Sequence, residues 1–464
     1  MTATVPAPPA PVPRRKVPFA QAVRERTLSN GARFLVLENH FNPTVAISGS
    51  LNAGGLFAPP DRRLIASFTA GELAKGTARR TKLEIAEELE SRGASLSFSA
   101  GAGDPVGVDV GAASLSRDLE ILLDVLAEVL LTPVFPEEEL KKEQMRLVGV
   151  VREQQDQTSV RAFEVVSRRI YPPGHPFHRR TAEARIAAIE SLKREELQRF
   201  YDERYGAGTL LLVVVGDVDS AKVLDGLERR LGEWRSGPPA EIPRPPAVSP
   251  APGTETVRMP DKASADVVLA QPADLERRSP EYLACVLANS ALGQSSLTSR
   301  LGVRVRDTEG LTYGIHSGFS ATHLGGPFAV SLTVKPESRD AAVAATLEEI
   351  RRFRREGMTA KELADEKSSH VGRFKVDLAS NGGIAHALDA AVYYDLGVSY
   401  LDEYPSLVEK VSKEGADAAF AKRVDPDQFT IVSAGSFVGP EVPSVTESAV
   451  KSEGGSHSQT SPVP

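Results

Sequence analysis

The sequence predicts an α+β fold made of two homologous domains, each a mostly antiparallel sheet with helices on one face. Two observations lead to this fold class. The chain has 464 residues, which is too long for one ordinary domain, and a proline-rich stretch at 236–253 divides it near the middle. Short sequence features on one side of that stretch also recur on the other side, in the same order.

The recurring features keep a nearly constant distance along the chain. Ser116-Arg-Asp opens one helical run, and Ser338-Arg-Asp opens another in the second half. The motif Glu-Leu-x-x-Glu begins at Glu139 and again at Glu362, and its offset equals that of the first pair to within one position. A helix followed by an apolar strand then closes each half. So long a spacing predicts two duplicated domains and not a solenoid of short repeats.

Strands and helices alternate within the first half. The apolar runs 33–37 and 44–51 flank a turn and predict strands. Residues 83–92 have helical spacing of apolar side chains and predict a helix. Residues 94–100 alternate small or polar with apolar side chains, which is typical of an edge strand, and residues 119–131 predict a long apolar helix.

These observations predict five segments. The first domain spans 21–235, the linker spans 236–253 and the second domain spans 254–437. The flanking segments 1–20 and 438–464 are rich in Pro, Ser, Gly and Ala, so we expect disordered tails there.

Composition excludes two classes of protein. The formal net charge is −7, and a mildly acidic chain argues against a dedicated nucleic-acid binder, which needs a basic face. No run of about 18 apolar residues is present, which predicts no membrane span. The single cysteine, Cys285, lies in an apolar stretch and is expected to be buried. The N-terminus is too rich in proline for the apolar core of a signal peptide, so the compartment stays open between a bacterial cytoplasm and periplasm.

The histidines do not form a recognisable metal motif. None of the eight is followed by a second histidine four residues later, as one helical face would require. The nearest pair, His175 and His178, has Pro176 between its members and follows a Pro-Pro-Gly run. Loop packing is therefore favoured for this pair over a metal site.

Four motifs together resemble a known family. The segment from Arg306 to Tyr313 reads Arg-Asp-Thr-Glu-Gly-Leu-Thr-Tyr; the others are Asn-Ala-Gly-Gly from Asn52, Tyr-Pro-Pro-Gly-His-Pro-Phe from Tyr171, and Val-Val-Val-Gly-Asp-Val-Asp from Val213. In their order along the chain and in their spacing, these motifs resemble those of the insulinase/pitrilysin-type zinc peptidases, peptidase family M16, over about residues 22 to 436. The resemblance implies the two-domain fold predicted above.

The resemblance also implies an inverted zinc motif, H-x-x-E-H, on a helix near the N-terminus, and this chain departs from it. Counted back from the Lys-Gly-Thr run at Lys75, the two ligand positions hold Ser67 and Gly71, and the position of the catalytic base holds Ala70. None of these can supply an imidazole or a carboxylate. Glu153 is a candidate for the family's distant glutamate ligand or else a solvated helix residue, and alone it cannot hold zinc.

Two features that hold peptides in the family have counterparts here. The resemblance implies that Arg306 and Tyr313 hydrogen-bond the peptide across the chamber from the metal: the guanidinium offers a fork of donors, and the hydroxyl can donate to a developing oxyanion. The alternative is that Arg306 is a surface helix residue and Tyr313 only starts a strand. The second feature is an edge strand that pairs with the substrate backbone. Its residues here would be Leu96, Ser97, Phe98 and Ser99.

Together these features predict the zinc-lacking subunit of a two-subunit M16 peptidase. A partner subunit with an intact H-x-x-E-H would supply zinc and the base, while this chain, with no cofactor of its own, would bind peptide through Arg306 and Tyr313. Two alternatives remain open. One is a stand-alone metallopeptidase with an unrecognised metal site, and the other is a non-catalytic scaffold or binding protein.

Overall fold

Two sheets, one in each half of the chain, organise the protein. The computed structural model describes residues 17–101, 103–237, 241–249 and 252–437. The predicted tail 438–464, most of the predicted N-terminal arm and five residues of the predicted linker lie outside the described residues. Both halves combine a sheet with helices, so the predicted α+β class is confirmed.

Among its described residues, the first half contains a six-stranded sheet and nine α-helices. Its strands are β1 (Arg24–Thr27), β2 (Arg33–Glu38), β3 (Thr44–Leu51), β4 (Ser95–Ala100), β5 (Val108–Leu115) and β6 (Leu211–Gly216). Its helices are α1 (Phe19–Ala22), α2 (Leu64–Glu72), α3 (Lys82–Glu90), α4 (Leu119–Leu131), α5 (Glu137–Gln154), α6 (Thr158–Ile170), α7 (Ala182–Glu190), α8 (Arg194–Arg204) and α9 (Ser220–Leu231). The strand order is β1-β2-β6-β3-β5-β4.

The described part of the second half contains a five-stranded sheet and six α-helices. Its strands are β7 (Gly253–Arg258), β8 (Ala265–Pro272), β9 (Thr312–Phe319), β10 (Pro327–Val334) and β11 (Thr430–Gly435). Its helices are α10 (Tyr282–Asn289), α11 (Arg339–Glu356), α12 (Ala360–Asp377), α13 (Asn381–Tyr393), α14 (Tyr400–Lys410) and α15 (Lys413–Arg423). The strand order is β7-β11-β8-β10-β9.

Five strands of each half share one topology. The order β2-β6-β3-β5-β4 in the first sheet corresponds to β7-β11-β8-β10-β9 in the second. The first pair in each list is parallel, and the other three pairs are antiparallel. Helices α5 and α12 both have 18 residues, and the helices that follow them, α6 and α13, both have 13 residues. The two helix pairs also keep one common offset along the chain. The duplication predicted from sequence is therefore present in the fold.

Most helices of each half cover one face of its own sheet, as predicted. In the first half, Phe34 and Val36 of β2 and Val214 of β6 pack in one core with α2, α4, α8 and α9. In the second half, Leu269 of β8 and Val330 of β10 pack in one core with α10, α11 and α15. The single cysteine, Cys285 of α10, is buried as predicted.

The opposite face of each sheet is covered by a helix from the other half, which the sequence did not predict. Helix α13 packs on β3 and β6 of the first sheet, where Leu388 contacts a core that includes Leu35 and Val213. Helix α6 packs on β8 and β11 of the second sheet, where Val165 shares a core with Val268. Because β6 is covered on both faces, all six of its residues are buried. This reciprocal exchange joins the two halves.

Polar contacts also join the halves. Asp389 of α13 accepts hydrogen bonds from Ser48 Oγ at 2.9 Å and from Ser50 Oγ at 3.0 Å, both on β3. Burial raises the pKa of Asp389 to about 6. The loop after β4 meets the loop after β9, where His323 Nδ1 lies 2.8 Å from Asp104 Oδ2 and His323 Nε2 lies 3.0 Å from the carbonyl of Tyr393. Burial alone would raise the pKa of Asp104, but the hydrogen bonds from His323 and from the Val106 N–H, together with the electrostatic attraction to His323, outweigh burial and lower it.

Candidate functional site

Helix α2 carries the three positions at which zinc chemistry would be expected. Ser67 is half-buried, and its hydroxyl donates to the carbonyl of Leu64 at 2.9 Å. Ala70 is buried with an exposure of 1%, and Gly71 is exposed and has no side chain. A zinc site needs nitrogen, sulfur or carboxylate ligands, so these residues do not fit the metal. Over the ranges that the structure describes, no group of three or more His, Cys, Asp or Glu could hold a metal ion.

The remaining sequence candidates for metal binding are engaged elsewhere or isolated. Glu153 is exposed on α5, as a solvated helix residue would be. The ring of His175 stacks on Tyr171 with centroids 4.4 Å apart, and His178 Nδ1 lies 2.8 Å from the carbonyl of Tyr171. Burial lowers the pKa of His175 to about 4, so this ring is neutral at pH 7. Both histidines thus contribute to loop packing, the interpretation favoured from sequence.

A cavity of about 310 Å³ lies beside Ser67, and it contains an arginine that sequence reasoning missed. The cavity is bounded by α2, by the end of β4 at Ala100 and by Phe177 of the loop after α6. Arg63 donates through Nη2 to the carbonyl of Gly174 at 2.7 Å, while its Nε and Nη1 are buried with no hydrogen-bond partner in the described ranges. Burial lowers the pKa of Arg63. The spacing of four residues from Arg63 to Ser67 could have indicated this neighbourhood, because such residues share one helix face.

Strand β4 is the last strand of the first sheet, where the sequence predicts an edge strand. It pairs with β5 in antiparallel register, with Leu96 opposite Ala112 and Phe98 opposite Val110. Leu96 and Phe98 are half-buried against the core, while Ser97 and Ser99 are exposed. An edge strand presents unpaired backbone groups to which an extended peptide can add.

Arg306 and Tyr313 lie side by side at the edge of the second sheet. Arg306 is on a π-helical segment (Gly302–Thr308), and Tyr313 is the second residue of β9. Between them the chain reverses at Gly310, whose φ of +63° is accessible at little cost to glycine. Arg306 Nε donates to the carbonyl of Tyr313 at 3.3 Å, and Arg306 Nη1 donates to Asp307 at 2.8 Å. The turn therefore holds the guanidinium next to the tyrosine.

Both side chains of this pair are accessible. Tyr313 is 64% exposed, and the side chain of Arg306 is 34% exposed. Neither the Tyr313 hydroxyl nor Arg306 Nη2 has a hydrogen-bond partner among the residues described. The structure places the pair on β9 and beside it, not on β4, and neither residue lines the cavity beside Ser67. Within this chain, then, the two groups of sequence-predicted site residues do not share a cavity.

Glu72, at the end of α2, is a second residue that sequence reasoning missed. Its exposure is 1%, and neither carboxylate oxygen has a hydrogen-bond partner within the described part of the chain. Burial raises the pKa of Glu72 to about 7. Glu72 follows directly after Gly71 in α2. Unlike Gly71, it is buried and does not reach solvent. A buried carboxylate with no donor destabilises the fold once it is ionised.

We expect Glu72→Gln to raise the free energy of unfolding, relative to wild type, by more at high pH than at low pH. Glu72 has a raised folded-state pKa, so its stability cost is absent below the ordinary value of 4.5, develops as pH rises, and is complete above about 7. The free energy of unfolding of the variant, relative to wild type, should therefore increase by about 3 kcal/mol between pH 4.5 and 8. Urea denaturation at several pH values measures this difference. The exposed residue Glu87, changed to Gln, is the control and should show no such trend.

Two family models match consecutive parts of the chain. Residues 33–175 match the model described as insulinase (peptidase family M16), and residues 191–369 match the model described as peptidase M16 inactive domain. The chain belongs to peptidase family M16. The sequence resemblance to M16 is thereby confirmed.

Several M16 relatives are similar along most of the chain. An uncharacterized zinc protease of Rickettsia bellii is 24% identical over 80% of this chain and 86% of its own length. The non-peptidase homolog YmxG of Helicobacter pylori is 23% identical over 72% of this chain and 76% of its own length.

Other matches extend over about half of this chain. An uncharacterized zinc protease of Rickettsia felis is 27% identical, with 45% of this chain and 50% of that protein covered. A probable mitochondrial-processing peptidase subunit beta of Arabidopsis thaliana is 25% identical, with 47% and 40% covered.

Solved structures show the same M16 fold. The crystal structure of a peptidase M16 inactive domain from Pseudomonas fluorescens superimposes with a TM-score of 0.81 and is 26% identical in sequence. The match covers 90% of this chain and 99% of that one. The fold predicted from sequence therefore has a solved counterpart along nearly its whole length.

Proposed function

We propose that this M16 chain is a zinc-lacking subunit that binds peptide segments and completes the active chamber of a zinc-bearing M16 partner. One contrast carries the proposal. Helix α2 has lost every ligand and the base, with Ser67, Ala70 and Gly71 in their places, whereas Arg306 and Tyr313 are present, adjacent and accessible.

The Arg306/Tyr313 pair suits the binding of a peptide backbone. The guanidinium already donates through Nε and Nη1 to the Tyr313 carbonyl and to Asp307, which fixes its orientation and leaves Nη2 for a peptide carbonyl. The tyrosine hydroxyl projects from an edge strand into solvent, so it can donate to an oxygen supplied from outside this chain. Because these donors lie away from α2, the reacting carbonyl would belong to a substrate held at a partner's zinc.

The outer edge of the first sheet at β4 supports a role in binding extended segments. Strands β4 and β9 each end a sheet, at positions related by the duplication. Leu96 and Phe98 anchor β4 to the core, so its outer backbone is held in place for pairing. Substrates would accordingly be peptides or unfolded segments. No described helix is long and apolar enough to cross a membrane.

A partner subunit follows from what this chain lacks. An intact H-x-x-E-H subunit would supply zinc and the base, and one relative, the Arabidopsis protein, is itself named as a subunit of a processing peptidase. The test mixes this chain with an M16 chain from the same organism that carries H-x-x-E-H. We expect a complex on a sizing column, and peptidase activity well above that of the partner alone.

A second candidate function is a non-catalytic scaffold, which is favoured by the relative named a non-peptidase homolog. A scaffold would bind its partner or peptide without changing the rate of cleavage. The same mixing experiment separates the two functions: a complex whose peptidase activity equals that of the partner alone supports the scaffold and contradicts the proposed function.

The third possibility, a stand-alone metallopeptidase, is tested by metal content. We expect the isolated protein to hold far less than one zinc per chain after dialysis, because Ser67 and Gly71 cannot ligate the ion. It should also cleave no peptide, since Ala70 cannot activate a water. Elemental analysis gives the metal content, with the H-x-x-E-H partner as the positive control. A content of one zinc per chain would contradict the proposal that this chain is a zinc-lacking subunit.

A further inference from the structure

A second cavity, of about 180 Å³, lies between α12, α13 and α14 in the second half of the chain. Its walls are largely aromatic and aliphatic, with Phe374, Ala387 and Tyr404 among them. Arg277 and Arg373 also line it. The volume is many times what one water needs, yet below the ~300–1,000 Å³ of pockets that bury drug-sized ligands. A small molecule, or one terminal residue of a peptide, would fit.

The two arginines at this cavity have no carboxylate partner. Across the described residues, no carboxylate oxygen lies within 4.0 Å of the guanidinium nitrogens of Arg277 or Arg373. Arg277 instead contacts two aromatic rings, with its Cζ 4.0 Å from the ring centre of Tyr282 and 5.7 Å from that of Tyr400. One carboxylate, that of the exposed residue Asp377, is on the lining. The cavity therefore has an excess of positive charge.

His370 does not change this balance. Its Nε2 lies 2.7 Å from Ser290 Oγ, and burial, together with Arg373, lowers its pKa, so the ring is neutral at pH 7. The positive charge at the cavity comes from the arginines alone.

The duplicated half carries a buried carboxylate at the helix position that is equivalent to Ala387. When α6 and α13 are aligned from their first residues, Thr158 and Asn381, Glu164 of α6 falls at the position of Ala387 in α13. Glu164 is fully buried and accepts hydrogen bonds from Arg185 Nη1 at 2.7 Å and from Arg161 Nη1 at 3.2 Å. The first half thus supplies its own carboxylate between α5, α6 and α7. The second half has only the methyl group of Ala387 at this position, and the arginines that line its cavity, Arg277 and Arg373, are not the equivalents of Arg161 and Arg185.

We propose that this cavity binds an aromatic carboxylate, whose carboxylate pairs with Arg277 as the Glu164 carboxylate pairs with arginines in the first half. A guanidinium binds a carboxylate through two parallel hydrogen bonds, which suits a side chain already oriented by two rings. The aromatic walls would cover the apolar body of the ligand. Asp377 disfavours a more highly charged anion. The site is independent of the proposed peptidase role, because it is formed without Arg306 or Tyr313.

Benzoate and its neutral analogue benzamide test the site by calorimetric titration of the full chain. We expect benzoate to bind at least tenfold more tightly than benzamide. Arg277→Gln should weaken benzoate binding by about 10- to 100-fold, the effect of losing a hydrogen bond to a charged group. Arg117→Gln removes an exposed arginine elsewhere and is the matched control, with unchanged affinity expected. Equal binding of benzoate and benzamide, or an unaffected Arg277→Gln variant, would overturn the proposal.

A second variant keeps the test meaningful if Arg277→Gln fails to fold. Ala387→Glu places in α13 the carboxylate that Glu164 provides in α6, so it should abolish benzoate binding and give a higher Tm than Ala387→Gln, which adds the same bulk without charge. A lower Tm for Ala387→Glu than for Ala387→Gln would contradict pairing with the arginines. A peptide ending in phenylalanine, with free or amidated C-terminus, separates the sources: displacement of benzoate by the free peptide alone identifies a chain terminus, and no displacement identifies a small molecule.

Discussion

Replacing Tyr313 with phenylalanine is expected to lower the kcat of the reconstituted peptidase by about 10²–10³-fold, the range for losing one donor to an oxyanion. The change removes one hydroxyl and keeps the ring. Because Tyr313 is 64% exposed and its hydroxyl bonds to no described residue, folding and subunit pairing should be unaffected. Steady-state kinetics of the complex, with a sizing column to confirm assembly, provide the measurement.

Arg306→Ala separates binding from chemistry at the same place. If the guanidinium mainly holds the ground-state peptide, KM should rise strongly while kcat changes little. Arg117→Ala, at an exposed arginine outside the pair, is the control. Unchanged kinetics in both the Tyr313→Phe and Arg306→Ala variants, with the complex intact, would favour the scaffold function.

The proximity of Arg306 and Tyr313 can be read from the sequence because the contact between them is local. A short segment with one glycine turn separates the two side chains, so the motif itself nearly determines their proximity. Arg63 and Glu72 were missed for the opposite reason. Their unpaired polar atoms result from packing against the loop at Gly174 and against α5, which are distant in sequence. A sequence shows that a residue is charged, but not whether its partner is absent.

The same distinction applies to the fold. Motifs repeated at a nearly constant offset predict a duplication, because each copy of a motif can be recognised from its own local sequence. The exchange of α6 and α13 could not be read in this way. An amphipathic helix reveals that one face is buried, but not which sheet buries it. Val165 and Leu388 are apolar in a helical setting either way, and only the assembled fold shows that each packs on the sheet of the other half.

Because α13 packs on the sheet of the other half, the loss of one of its buried side chains should strongly lower the stability of the protein. Leu388 of α13 is fully buried against the first sheet, so Leu388→Ala should lower the free energy of unfolding by about 2–5 kcal/mol. Val376→Ala, at a 71% exposed position of α12, is the control and should change it by less than about 0.5 kcal/mol. Denaturant unfolding followed by circular dichroism measures both variants.

The cooperativity of that transition tests the exchange itself. Leu388 belongs to the second half by sequence but packs with Leu35 and Val213 of the first sheet. The loss of its side chain should therefore shift the unfolding of both halves together, in a single transition. If Leu388→Ala instead produced two separated transitions, with one half unchanged in midpoint, the halves would be independent units. The covering of each sheet by the other half's helix would then contribute little to stability, contrary to the buried contacts of α6 and α13.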